Sequence, residues 1–221
     1  MATRRISLIH ASPAAIAPLA RYCAEAEPQW EMTNLLDDGI MRQFRTGDDA
    51  AVESGLLSLV DRACSRYHAE AALITCSAAS LGLMRKLSAA APVPLVKIDA
   101  PMAEAAVRSA SPIGALVTFP PTLAPTCALL NEVALSAGRA ISIRTELREE
   151  ALQALLQGDS AAHDRLLTEG ARALHSAGAG VIVLAQVSMA HMREPFEREF
   201  GIPVFSSLET SRKALREALT R

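Results

Sequence analysis

The sequence predicts an α/β fold with two pseudo-symmetric lobes, each a mainly parallel sheet flanked by helices. Short apolar runs alternate with helical patterns along the chain, which is typical of parallel strands covered by helices on both faces. Similar segments recur about half a chain apart, which indicates an internal duplication. Half of the 221 residues are hydrophobic and only 4% are aromatic, so a large core of Leu, Val, Ile and Ala is available.

The first half of the chain predicts four strands separated by helices. In order, these are a strand at 6–11, a helix near 14–26, a strand near 31–36, a helix near 48–68, a strand ending at Cys76, a helix near 79–90 and a strand at 93–98. The second half predicts strands near 113–118, 140–147, 181–186 and 203–206.

Three segments of the first half match segments of the second half in the same order. Residues 7–10 and the following Ser-Pro match 115–118 and the following Pro-Pro, at an offset of 108 residues. Residues 73–76 match 183–186 at an offset of 110, and 93–96 match 202–205 at an offset of 109. The nearly constant offset predicts a first lobe of 1–98 plus 206–221 and a second lobe of 99–205.

Composition excludes several classes of function. Lys and Arg number 22 against 24 Asp and Glu, with no basic stripe, so nucleic acid is not an expected partner. No signal peptide pattern and no run of ~18 apolar residues occurs, so we expect no membrane partner and a cytoplasmic location. The four cysteines are widely spaced and predict free thiols in a reducing compartment.

Cofactor and metal motifs are also missing from the sequence. No Gly-x-Gly-x-x-Gly or Walker-type glycine pattern follows a predicted strand, so no nucleotide cofactor is expected. The five histidines are scattered, without a His-x-x-x-His pair, so no metal site is expected.

Cys76 is the main candidate for a reactive side chain. It ends the apolar run 71–74 together with Thr75 and Ser77, and a helical pattern follows. Open α/β sheets bind ligands at the carboxyl ends of their strands, and a helix N-terminus there favours the thiolate form of cysteine. In the second lobe, Gln186 stands at the position that corresponds to Cys76.

Four loops at strand ends carry the remaining candidate ligand groups. They comprise residues 10–13, 75–80, 118–122 and 186–190, and they are rich in Ser and Thr hydroxyls and predicted helix starts, which suits a small carboxylate. The candidate binding residues are His10, Ser12, Asn34, Thr75, Ser77, Thr118, Thr122, Gln186 and Ser188.

Other reactive residue types have simpler interpretations. Cys23, Cys64 and Cys127 fall on helical patterns and are interpreted as structural. His163 falls in the first turn of a helix capped by Asp159 or Ser160 and is expected at the surface. The remaining expectations are structural roles for His68 and His175 at helix C-termini, a remote acid role for His191 as the weaker hypothesis, and a solvated turn for Asp37 and Asp38.

The chain resembles the aspartate/glutamate racemase superfamily, which also contains hydantoin racemases, maleate isomerase and arylmalonate decarboxylase. The resemblance is carried by Thr-Cys-Ser at 75–77, Thr-Phe-Pro-Pro-Thr at 118–122, Leu-Ala-Gln-x-Ser-Met-Ala at 184–190 and the run 158–164. It implies two α/β lobes with four-stranded parallel sheets, an active site between them, no cofactor and, as a family expectation, a homodimer. It also implies one cysteine per lobe, acting on opposite faces of the substrate α-carbon.

Cys76 matches the first-lobe cysteine of this family, whereas Gln186 stands where the second cysteine belongs. An amide neither gives nor takes a proton near neutral pH, so two-cysteine racemisation is not available. The sequence leaves three alternatives: an isomerase-like enzyme acting at the α-carbon of a small carboxylate with Cys76 as base or nucleophile; a decarboxylase or lyase that protonates from one side; and a carboxylate-binding protein without chemistry.

Overall fold

Apolar strands and amphipathic helices alternate throughout the computed structural model, which describes residues 3–220. The elements of the first half are β1 (Arg4–His10), α1 (Ile16–Ala26), β2 (Trp30–Leu36), α2 (Gly39–Thr46), α3 (Asp49–Ser65), β3 (Ala71–Ile74), α4 (Leu81–Ala90) and β4 (Leu95–Lys97). Those of the second half are α5 (Ala100–Ser109), β5 (Ile113–Val117), α6 (Pro120–Ser136), β6 (Ile143–Leu147), α7 (Glu149–Leu156), α8 (Ser160–Ser176), β7 (Val181–Leu184), α9 (Arg193–Phe200), β8 (Val204–Phe205) and α10 (Ser207–Ala218). Short 3₁₀ segments cover Pro13–Ala15 and Val187–Met192.

The described strands form two four-stranded sheets in which every pairing is parallel. Their orders are β2-β1-β3-β4 and β6-β5-β7-β8, so each strand of the first sheet has a counterpart at the same place in the second. β3 and β7 are buried at every residue, as expected for inner strands covered by helices on both faces. The predicted α/β fold with two similar, mainly parallel sheets is therefore confirmed.

The chain divides into two compact units, each with its own sheet. One unit runs to Ile98 and resumes at Leu208, and the other comprises Asp99–Ser207. In the second unit, the core is a cluster of Leu, Val, Ile, Ala, Met and Phe side chains from three strands (β5, β7 and β8), three helices (α7, α8 and α9) and the segments that follow α8 and β7, with Phe196 fully buried.

The helices that precede β3 and β7 repeat each other closely. α3 has Asp48 as N-cap and α8 has Asp159, and in both the carboxylate accepts the backbone N–H three residues later. The buried residues of α3 are Val52, Leu56, Leu59, Val60 and Ala63, and those of α8 are His163, Leu167, Gly170, Ala171 and Leu174. Every one of these pairs is 111 residues apart, so the duplication extends to the packing of these helices.

The structure differs from the sequence expectation at the starts of two helices and in one additional helix. α4 begins at Leu81, with the Ser80 hydroxyl accepting the Leu83 N–H, two residues later than expected. α6 begins at Pro120, so the expected proline turn is the first turn of a helix, where proline is favoured because N–H groups there need no helical partner. The helix α2 was not predicted.

None of the helices within residues 3–220 is long and apolar enough to cross a membrane.

Candidate functional site

His10 lies at the carboxyl end of the central strand β1 and is completely buried. Its Nε2 lies 2.9 Å from the Asn34 Oδ1, and its Nδ1 lies 2.9 Å from the Thr75 hydroxyl oxygen. Burial lowers the pKa of His10 below its ordinary value of 6.5, and the hydrogen bond with Asn34 offsets part of that effect. The Thr75 hydroxyl donates its one proton to the Ile9 carbonyl at 3.0 Å, so its oxygen faces the His10 Nδ1 as an acceptor.

Cys76 lies two residues after the end of β3, in a buried loop between Thr75 and Ser77. The backbone N–H of Thr75 still follows the sheet and donates to the Ile9 carbonyl, whereas the Cys76 carbonyl accepts the Ala79 N–H in a tight turn. The helix N-cap is Ser80, four residues after Cys76, so the thiol does not lie in the first turn of α4 as expected.

Lys97 brings a buried amine to the same loop. It is the last residue of β4, and its partner in the register is Ile74, the last residue of β3. Its side chain is only 6% exposed, and Nζ donates to the Ser77 carbonyl at 3.3 Å. This hydrogen bond ties the end of β4 to the loop that carries Cys76.

Ser12 and Asn34 have structural partners as well as positions at this edge. The Ser12 hydroxyl oxygen accepts the Ala14 N–H at 3.3 Å and caps the 3₁₀ segment that follows β1. Asn34 is exposed on the edge strand β2 and holds His10 in place.

Gln186 occupies the corresponding position in the second sheet, two residues after β7. Its Oε1 accepts both the backbone N–H and the hydroxyl of Thr118, at 2.9 and 3.2 Å. Because a backbone N–H can only donate, the amide oxygen must face Thr118, which fixes the orientation of the side chain. The Nε2 group is buried and has no hydrogen-bond partner among the described residues. The result is a fixed donor without an acceptor.

The loop before α6 offers fewer backbone donors than the sequence suggests. Pro120 and Pro121 have no N–H group, the Thr118 N–H is bonded to Gln186, and the Thr122 N–H donates to the Phe119 carbonyl at 2.9 Å. Thr118 and Thr122 are both buried, and Ser188 is half-buried in the 3₁₀ segment after Gln186. An anion at this edge therefore depends on side-chain donors, mainly Gln186, rather than on the N-terminus of α6.

The other three thiols are held in the neutral form. Burial and the nearby Glu27 carboxylate raise the pKa of Cys23 to about 11, with Arg212 acting in the opposite direction. Burial, together with Asp61, raises the pKa of Cys64, and burial alone raises that of Cys127. All three lie in helices, as the structural interpretation predicts.

His163 is buried, with only 1% of its surface exposed, so the expectation of a surface histidine is wrong. The helix begins where expected, with Asp159 as N-cap, but position 163 starts the stripe of α8 that packs on the sheet. His163 also stacks on His191, with ring centroids 5.7 Å apart, so these two histidines are not scattered.

Asp164 joins the two histidines. Its Oδ1 lies 3.0 Å from the His163 Nδ1 and 2.7 Å from the His191 Nε2. Burial raises the pKa of Asp164, but the hydrogen bonds from His163 and His191 outweigh this and the pKa is lowered overall. Side chains of these types within 4.8 Å of one another also occur in metal sites, but here both imidazole N–H groups are accounted for by the carboxylate.

Sequence reasoning missed Lys97 and the His163–Asp164 pair. A lysine at the end of a short apolar run is a signal for a charge at the sheet edge. The signal for His163 is its match with the buried Val52 at an offset of 111 residues.

Comparison with known proteins places these features in a family. A model of the Asp/Glu/hydantoin racemase family matches residues 19–214. A search of curated proteins finds no match. Among solved structures, a glutamate racemase from Bacillus anthracis is 12% identical, with a TM-score of 0.76 over 100% of this chain and 83% of that one.

Two further solved structures share the fold. A glutamate racemase from Francisella tularensis in complex with D-glutamate is 11% identical, with a TM-score of 0.76 over 99% of this chain and 81% of that one. An allantoin racemase from Klebsiella pneumoniae is 21% identical, with a TM-score of 0.70 over 98% of this chain and 88% of that one. With the family match over most of its length, the chain belongs to the Asp/Glu/hydantoin racemase family and is a racemase-like isomerase.

Proposed function

We propose that the protein is a cofactor-independent isomerase that acts at the α-carbon of a small carboxylate, with Cys76 as the base and Gln186 in place of a second cysteine. The observation that carries the proposal is the Gln186 amide. Its oxygen is held by Thr118, and its buried Nε2 group has no acceptor among residues 3–220. A buried donor without a partner costs free energy, and a substrate carboxylate is a fitting acceptor for it.

The roles of the two equivalent positions then differ. Cys76 removes the α-proton, which only a deprotonated thiol can do. Gln186 holds the carboxylate that makes the α-proton acidic. The other proposed substrate contacts are His10, Thr75, Ser77, Thr118, Thr122 and Ser188, with Ser12 and Asn34 supporting the loops.

Exchange of the α-proton with solvent tests this proposal. The protein is incubated in D₂O with glutamate or aspartate, the two amino acids in the name of its family, and the α-proton signal is followed by NMR. We expect the signal of at least one compound to disappear with the wild-type protein and with Cys64→Ala, since Cys64 is a half-buried helical cysteine outside the site. With Cys76→Ala the signal should persist.

Exchange that survives Cys76→Ala would contradict the role of Cys76. Binding detected by thermal shift without any exchange would instead support a carboxylate-binding protein without chemistry. Release of carbon dioxide from an α-substituted malonate would support a decarboxylase.

A further inference from the structure

The duplication places an apolar residue at the position of α3 that corresponds to His163. The buried stripes of α3 and α8 match at every position with an offset of 111 residues, and His163 corresponds to Val52, which is equally buried. The first unit thus fills this place in the fold with an apolar side chain. A buried histidine costs free energy that a valine does not, unless the imidazole performs a further task.

The register of α8 against β5 places His163 at the carboxyl edge of the second sheet. Leu174 packs against Gly114, and Gly170 packs against Leu116, so the helix and the strand run in opposite directions. From Gly170 to His163 the helix advances about 10 Å, which equals about three strand residues beyond Leu116. His163 therefore lies near the level of Thr118, the residue that holds Gln186.

Asp164 fixes the tautomer of His163. The carboxylate can only accept hydrogen bonds, so the His163 Nδ1, 3.0 Å away, carries the proton. In the neutral ring the Nε2 atom is then a bare lone pair. That atom is buried and has no hydrogen-bond partner in the described part of the chain. A carboxylate that holds the Nδ1–H and leaves Nε2 open is the arrangement of a histidine that transfers protons.

His191 connects this pair to solvent. It shares the Asp164 Oδ1 at 2.7 Å and stacks on the His163 ring. The side chains of His191 and Asp164 are 51% and 40% exposed, whereas His163 is 1% exposed. His191 and Asp164 can thus exchange protons with water, while the His163 imidazole stays shielded from solvent.

We propose that His163, oriented by Asp164, is the second proton-transfer group of the proposed site and exchanges a proton with the substrate α-carbon through Nε2. This inference rests on the proposed function. In one direction, the α C–H bond breaks and its proton goes to the Cys76 sulfur, leaving the electron pair on carbon. For this direction the Nε2 of His163 has first taken a proton from water, and its Nε2–H bond then breaks as a new C–H bond forms on the other face. Loss of the thiol proton to water and return of a proton to His163 restore the starting state.

Inversion and exchange, measured on the same sample, distinguish the role of His163 from that of Cys76. A probe that exchanges its α-proton in D₂O (L-glutamate or L-aspartate) is followed by NMR for deuterium and by chiral chromatography for configuration. We expect the wild type to invert the probe. In His163→Asn the amide still donates to Asp164, but inversion falls by ~10²–10⁴-fold while exchange with retention continues through Cys76.

Two further variants complete the test. His175→Asn makes the same change at an exposed position at the other end of α8 and should invert like the wild type. Asp164 is partly exposed, so Asp164→Asn tests the same proton-transfer group without changing a buried side chain. This variant should also reduce inversion relative to exchange. Retention by the wild type, or equal loss of inversion and exchange in His163→Asn, would overturn the proposal. Loss of inversion on chelation, with recovery on adding Zn²⁺, would overturn it in favour of a metal site.

The tautomer of His163 gives a readout that needs no substrate. Long-range ¹⁵N–¹H correlation spectra of the wild type should show a protonated Nδ1 and a bare Nε2 at His163, and Asp164→Asn should abolish this preference. A protonated Nε2 in the neutral ring would overturn the inference. If neither amino acid exchanges, the proposed function fails for both, and the tautomer alone decides whether the histidine is held as a base.

Discussion

Gln186→Glu tests the contribution of the buried Gln186 Nε2–H group separately from the other polar groups at the second sheet edge. The change keeps an oxygen that can accept the Thr118 N–H and hydroxyl, at 2.9 and 3.2 Å, but replaces the unpartnered Nε2–H group with a second carboxylate oxygen. If the donor holds a substrate carboxylate, the variant loses one hydrogen bond to a charged group and gains repulsion between two anions.

The structure sets the size of the effect. A hydrogen bond to a charged group contributes about 1.5–3 kcal/mol, so its loss alone weakens binding by about 10- to 150-fold. Repulsion between two carboxylates about 4 Å apart adds up to about 4 kcal/mol near a protein surface. We therefore expect the dissociation constant of the carboxylate that binds the wild type to rise by at least about tenfold at neutral pH. The loss should shrink in acid, where the introduced carboxyl group is protonated and can donate again.

Isothermal titration of the wild type and the variant at two pH values measures this effect. Gln153→Glu makes the same change at an exposed position of α7 and should bind like the wild type. A Gln186→Glu protein that folds normally and binds the carboxylate within twofold of the wild type would refute the assignment of the donor.

Three further results are expected from the rest of the structure. Iodoacetamide at neutral pH should label Cys76 before the other thiols, because their pKa values are raised, that of Cys23 to about 11; first labelling of another thiol in the folded protein would contradict the site. Glu27→Ala should lower the free energy of unfolding by about 2–3 kcal/mol in denaturant titrations, because the buried carboxylate accepts bonds from Arg212 and Gln29; an unchanged midpoint would contradict this. Stability should fall as the pH drops below about 6.5, since unfolded His10 binds a proton there whereas the buried ring, with its lowered pKa, does not; His10→Asn should remove this component, as unfolding at about pH 7.5 and about pH 5.5 would show.

The duplication was readable from the sequence because it rests on local patterns. Buried parallel strands are short apolar runs, and the loops that follow them begin where hydroxyl and ring side chains replace Val, Leu and Ile. Period and composition therefore predicted both sheets and the equivalence of Cys76 and Gln186. The helix boundaries at Leu81 and Pro120 were less readable, because a serine cap and a pair of prolines are compatible with both a turn and a first helical turn.

The sequence by itself therefore determined the fold class, the repeat and the strand ends from which Cys76 and Gln186 project. Tertiary structure alone decided what those side chains can do. The orientation of the Gln186 amide depends on Thr118, which lies 68 residues away, and the lowered pKa of His10 depends on the burial of its ring. The partnership of His163 with His191 likewise depends on the packing of α8 beside the loop after β7. Hydrogen-bond partners and burial are set by non-local contacts, so they have no signature in a local pattern of residues.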